Sequence, residues 1–269
     1  MKEGINMAST MEQKDVKISG SGTISAGVYN DLKISGSGTV LGDVECDDIK
    51  VSGSAKFNGR IKSNRFDCSG STKCLSDVEA NKFSISGSSF VEGKLKSENV
   101  DISGSFKTKD DVLVERLKVS GSMKTEGSVK AETVSISGSL TAKKGCECEL
   151  FTVNGQLNMD GLLNAETIQI THSGFSFVPE LGGETIEISL YSARNFLRNL
   201  FSSIFLGKMR FKTKSIEGSV IRLDHTDAEV VRGDMVTIGK NCNIGLVEYT
   251  EDIQIHPSAK VKVHKRVEK

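Results

Sequence analysis

The chain has 269 residues, and its 35 basic and 35 acidic side chains cancel, so the whole carries no electrostatic footprint for nucleic acid. With 27 glycines, 2 prolines, no tryptophan and 37% hydrophobic residues, it fits neither a helical bundle nor Pro-rich disorder. Neutrality also leaves little charge repulsion to oppose self-association.

The opening "MKEGINMASTMEQKD" is polar and lacks the apolar core of a secretory signal. No run reaches the roughly 18 apolar residues of a membrane span. Residues 1–13 are therefore expected to form a polar tail on a cytoplasmic protein.

From Lys14 onward an internal repeat takes over. Gly20, Gly36, Gly53, Gly70, Gly87, Gly104, Gly121, Gly138 and Gly155 are spaced by 16 once and by 17 thereafter, each after a Ser except the last, which follows Asn154. Four residues before these glycines stand Leu32, Ile49, Phe66, Phe83, Val100, Leu117, Val134 and Phe151; two before stand Ile34, Val51, Cys68, Ile85, Ile102, Val119, Ile136 and Val153. Apolar positions two apart, with Lys, Asp, Glu, Ser and Thr between them, have the strand period. Seventeen residues hold about three short strands with corners and leave no room for a packed helix, so each unit reads as one coil of a β-helix. The crossover rule favours a right-handed parallel coil. At the corners glycine supplies a positive φ without a Cβ clash and serine bonds to nearby backbone, so the nine glycines read as a structural turn ladder. "GSGTISAG" has neither the strand-to-helix setting nor the partner residues of a phosphate-cradling loop.

After Gly155 the phase blurs, and residues 14–181 are taken as the main solenoid. Residues 182–212 read as an insertion. Within it, Phe196, Leu197, Leu200, Phe201, Ile204 and Phe205 form a helical stripe, while Arg194, Arg198, Lys208 and Arg210 add positive charge with no acid between. That pattern predicts the one helix of the chain, either a lid on the solenoid or an amphipathic segment that meets an anionic membrane surface or a protein client. Residues 213–263 return to the repeat: Val236 and Ile238 recur as Ile253 and Ile255, and a basic tail, 264–269, follows. The expectation is an all-β, right-handed β-solenoid of ten or eleven coils, on the order of 50 Å long, with one insertion.

The six cysteines suggest no zinc site, since no second pair or histidine completes a ligand set. Cys46, Cys68, Cys74, Cys146 and Cys148 fall in inward columns, where a thiol acts as a small hydrophobe. His172, His225, His256 and His264 are scattered and form no nucleophile or metal arrangement. No catalytic residue, cofactor or metal is expected.

The coils "ISGSG" and "VSGS", with "GDVECDDIKVSGSAKFNGRIKS" and the closing "GLVEYTEDIQIHPSAKVK", resemble the bactofilins, bacterial polymer-forming cytoskeletal proteins, in particular their long Ser-Gly-repeat relatives in Gram-positive bacteria. The resemblance implies a right-handed β-helix that polymerises end to end without nucleotide and scaffolds other proteins, often near the membrane. Two other readings stay open on the residues. One is a left-handed hexapeptide acyltransferase, for which "IGKNCNIG" at Ile238 to Gly245 is the best feature, with His225 or His256 as base. The other is an adhesin-like or carbohydrate-binding solenoid.

Overall fold

The computed structural model describes residues 14–190 and 209–268. They form one sheet of 25 strands, every pairing parallel, and no helix occurs among the described residues. The chain is an all-β parallel solenoid, as its repeat predicts.

One coil shows how 17 residues close. Val44–Val51 alternates inward and outward as two short runs, and the alternation slips by one residue at Asp47 and Asp48, which bends the strand. Ser52 and Gly53 turn the second corner, Ser54–Phe57 makes the third run, and Asn58 to Arg60 return the chain to the start. Each run then hydrogen-bonds to its equivalents above and below.

Register counts the coils. Ile18, Ile34, Val51, Cys68, Ile85, Ile102, Val119, Ile136, Val153, Ile170, Ile188, Leu223, Ile238 and Ile255 stand in one ladder, each paired with the next. That is fourteen rungs, not ten or eleven, and thirteen steps of about 4.8 Å make a rod of roughly 62 Å rather than 50 Å. The extra coils escape a search for Ser-Gly because the ladder steps from Ile170 to Ile188, then Leu223, then Ile238, while the glycine column gives way to His172, which pairs with Gly155. Strand pairing continues through Glu180–Leu190 and resumes at Phe211–Leu223.

The Ser-Gly glycines sit at corners, but not for a positive φ. The only non-glycine positive angles among the described residues are His225 (51°) and Asn241 (56°), and no Ser-Gly glycine adopts the left-handed region. The cause is close stacking: a Cβ on Gly53 would lie 2.0 Å from the carbonyl oxygen of Gly36, and one on Gly70 2.0 Å from that of Gly53. Ser52 and Gly53 both donate their N–H to Ile34 O, at 2.9 and 3.2 Å, which draws the corners together.

A second corner device repeats every other coil. Asp43, Asp77 and Asp111 each accept an N–H from the next coil at 2.8 Å, from Arg60, Lys94 and Ser128. Glycine precedes each donor, and a Cβ on Gly59 or Gly93 would meet the carboxylate at 2.6 or 2.2 Å. Asp224 repeats the clip on Lys240, with Gly239 beneath.

Inside, Phe57, Phe66, Phe83 and Phe106 form a continuous file with ring centroids 5.9, 5.0 and 5.4 Å apart. All four rings are fully buried. Burial of this aromatic and aliphatic file, at about 25 cal/mol per Å² of apolar surface, is the main term holding the coils together.

Candidate functional site: the open ends of the coil

A parallel solenoid satisfies its inner rungs and leaves one unpaired strand edge at each end. In mid-column, Ile34, Ile136 and Ile238 are wholly buried, whereas Ile255, the last of the same column, is 37% exposed. Ile253, Ala259 and Val261 are half-buried beside it, and Val263 is 53% exposed. The final rung, Asn243–Ile255 with Lys260–Arg266, therefore presents core-type side chains and an unpaired edge together. Pro257 lacks an N–H, and Ala259 donates to His256 O at 2.9 Å, so the last corner is closed by its own turn. No helix covers this end among the described residues.

At the other end, Lys14–Ile18 and Ser21–Ile24 pair, among the described residues, only with the coil that follows them. Ile18 is 8% exposed and Val16 half-buried. The edge character of Ile253 and Ile255 was hidden in the sequence, where they read as one more echo of the repeat.

Of the predicted contact segment, Arg194, Phe196, Leu197, Arg198, Leu200, Phe201, Ile204, Phe205 and Lys208 lie outside the described residues. Arg210 is described, and its guanidinium pairs with Asp227 of the next coil and donates to Asn241 O at 2.9 Å, so it anchors the solenoid. The six cysteines are free thiols, Cys148 half-buried and the others buried. Burial pushes the Cys46 and Cys242 thiols up to about 11, which leaves them protonated and poorly nucleophilic. "IGKNCNIG" is a single corner around left-handed Asn241, clipped by Asp224, within a ladder that steps by 17 residues from Ile238 to Ile255.

His172 is fully buried with its ring 6.2 Å from Phe211. Its Nδ1 meets Gly174 O at 3.1 Å, and Nε2 has no partner among the described residues. His225 bonds Asn241, and His256 bonds Ser258. No group of three metal-ligating side chains comes together among the described residues. Nor is any helix there long and apolar enough to cross a membrane.

Stacked parallel coils whose described terminal strands pair on one side define a parallel β-solenoid. Residues 2–96 match the bactofilin family, described as polymer-forming cytoskeletal, and the resemblance carried by the Ser-Gly coils thus stands on a family match. The chain is also similar to two proteins of Bacillus subtilis (strain 168), both described as uncharacterized. YhbE is 35% identical over 90 residues, covering 34% of this chain and 36% of that protein; YhbF is 37% identical over 87 residues, covering 32% and 33%. Each match spans about a third of the relative's length. No solved structure matches the chain.

Proposed function

We propose that the protein is a structural scaffold that assembles end to end, without nucleotide, by stacking the terminal rung of one copy on that of another. The observation that carries this reading is the last described rung, where Ile255 is 37% exposed although Ile238, its equivalent one coil earlier, is wholly buried, and where Val263 stands exposed above the half-buried Leu246. Stacking would bury them and pair the free edge, the same interaction that joins every inner coil. The polymer-forming description of the matched family supports it. Negative-stain microscopy of the full chain tests it: threads are expected with or without added nucleotide, and Ile255→Glu is expected to leave folded single rods. Monodisperse wild-type rods at high concentration across salt conditions would sink the reading.

The segment around Phe201 is proposed as the membrane or client contact, on its apolar stripe and unopposed positive charge. Liposome binding that falls with salt and is lost in Phe201→Glu is expected; equal binding by both chains would refute it.

A further inference from the structure

Several outward charge ladders on this solenoid alternate in sign from coil to coil and pair internally. Glu45 holds Lys62 at 3.0 Å, Glu79 holds Lys96 at 3.4 Å, Glu92 holds Lys109 at 2.6 Å and Asp160 holds Lys143 at 2.7 Å. Lys17, Lys33 and Lys50 stack as like charges near one end, Lys50 being paired with Asp48, and two further columns break the alternation. On the third run of each coil, Lys56, Lys73, Lys107 and Lys124 stand in register with only Phe90 between them. All four lysines are exposed, and none makes an ion pair with a described residue; Lys73 instead lies 5.9 Å from the Phe90 ring.

The other column has the opposite sign. Glu98, Glu115, Glu132, Glu149, Glu166 and Glu184 occupy six successive rungs at the bend between the first and second runs. Glu98 is level with Glu115, Glu132 donates its N–H to Glu115 O, Glu149 to Glu132 O, and the register then places Glu166 and Glu184. All six are exposed, and among the described residues only Glu115 has an ion pair, a loose one to Arg116 at 3.7 Å. Like charges stacked in register destabilise a sheet, so each column raises the energy of an isolated rod.

We propose that the lysine column of one copy docks on the glutamate column of a second copy lying alongside it with parallel axis, so that rods zip laterally. Both columns climb by one strand spacing, about 4.8 Å, so alignment of one pair aligns the rest. The lysines occupy rungs three, four, six and seven, and the glutamates rungs six to eleven. A shift of three or four rungs, roughly 14 to 19 Å, therefore puts every lysine opposite a glutamate. The two surfaces differ, so the contact is heterologous, and the axial shift keeps it from closing: in a docked pair one rod keeps a free glutamate column and the other a free lysine column for further neighbours. A fluid anionic bilayer would also attract the lysines, but it offers no fixed pitch and would leave the glutamate column uncompensated. This inference rests on the self-association reading, but it uses the flanks of the rod and not its ends.

The test uses the full chain from about 0.01 M to about 1 M NaCl, over which the screening length falls from roughly 30 Å to 3 Å. Side-by-side packing, read by microscopy and sedimentation, is expected at low salt and lost at high salt. The variants K56E/K73E/K107E/K124E and E115K/E132K/E149K/E166K should each associate laterally at least about tenfold more weakly, with circular dichroism unchanged because each column was already single-signed. An equimolar mixture of the two should pack again, since each then supplies the sign the other lacks. Lateral packing that survives either reversal, fails to return on mixing, or is missing from wild type at low salt would overturn the proposal. So would lysine-dependent binding to vesicles with about 30% anionic lipid and no lateral pairing. Failure of end-to-end assembly alone would appear differently, as short rods packed side by side without threads.

Discussion

At the scale of single residues, the molecule is governed by what lies one coil away. Gly87 and Gly20 look identical in sequence, each following a serine, yet a Cβ on Gly87 would fall 2.0 Å from Gly70 O while one on Gly20 would meet nothing within 4 Å. Gly87→Ala must push two coils apart and is expected to cost more than about 3 kcal/mol. Gly20→Ala should be close to neutral, and denaturant midpoints of the two variants check the contrast. Phe83 sits between Phe66 and Phe106 in the inner file, so Phe83→Ala is expected to cost about 3–5 kcal/mol. His172 adds a pH term. Burial lowers its pKa from the ordinary 6.5, so below that value the unfolded chain binds the extra proton. The stability tied to neutral His172 is present above about pH 6.5 and lost as pH falls through the depressed folded value, with a slope of at most about 1.4 kcal/mol per pH unit. His172→Phe keeps a ring against Phe211 and should flatten that slope between pH 7 and 5; an unchanged slope would assign the effect to His225, whose pKa burial also lowers.

At the scale of elements, the inward columns were legible because burial imposes period two and stacking imposes period seventeen on the same residues. The number of coils was not, because Ser-Gly marks only one corner type and that corner changes once His172 replaces the glycine and the ladder steps become unequal. The Asp clips were equally hidden: they recur every second coil, so alignment at one coil interleaves Asp43, Asp77 and Asp111 with Arg60, Lys94 and Ser128. Amide donation from Ser128 holds the Asp111 carboxyl below its usual range, as donation from Arg60 does for Asp43. The clip's stability is therefore present above the unfolded value of about 3.8 and lost as pH falls through the lower folded value. Asp111→Ala is expected to lower stability by about 1 kcal/mol at pH 7 and not at all once the carboxyl is protonated, as urea melts at neutral and strongly acid pH would show. Open edges follow from a β-helix as such; what the sequence hid is the exposure of Ile255 and the half-burial of Ile253, which carry the same residue types as the buried rungs before them.

At the scale of the whole molecule, a solenoid's stability is a sum of coil interfaces, and interior coils have two while terminal coils have one. Local opening should then grow toward the ends, and the strand Lys260–Arg266, paired only with Asn243–Ile255, should exchange its amide hydrogens far faster than Val112–Val119 in the middle. End-to-end stacking changes that profile in one place. If a second copy seats on the final rung, the amides of Lys260–Arg266 gain partners and apolar cover and should slow toward interior rates, whereas lateral zipping through the charged flanks leaves the edge open. Hydrogen exchange on assembled and disassembled samples thus separates the two contacts by location: protection at the terminal strand follows the ends, and salt-sensitive change along the lysine and glutamate columns follows the flanks. Assembly that leaves Lys260–Arg266 in fast exchange would mean that the exposed Ile255 and Val263 are not where copies meet.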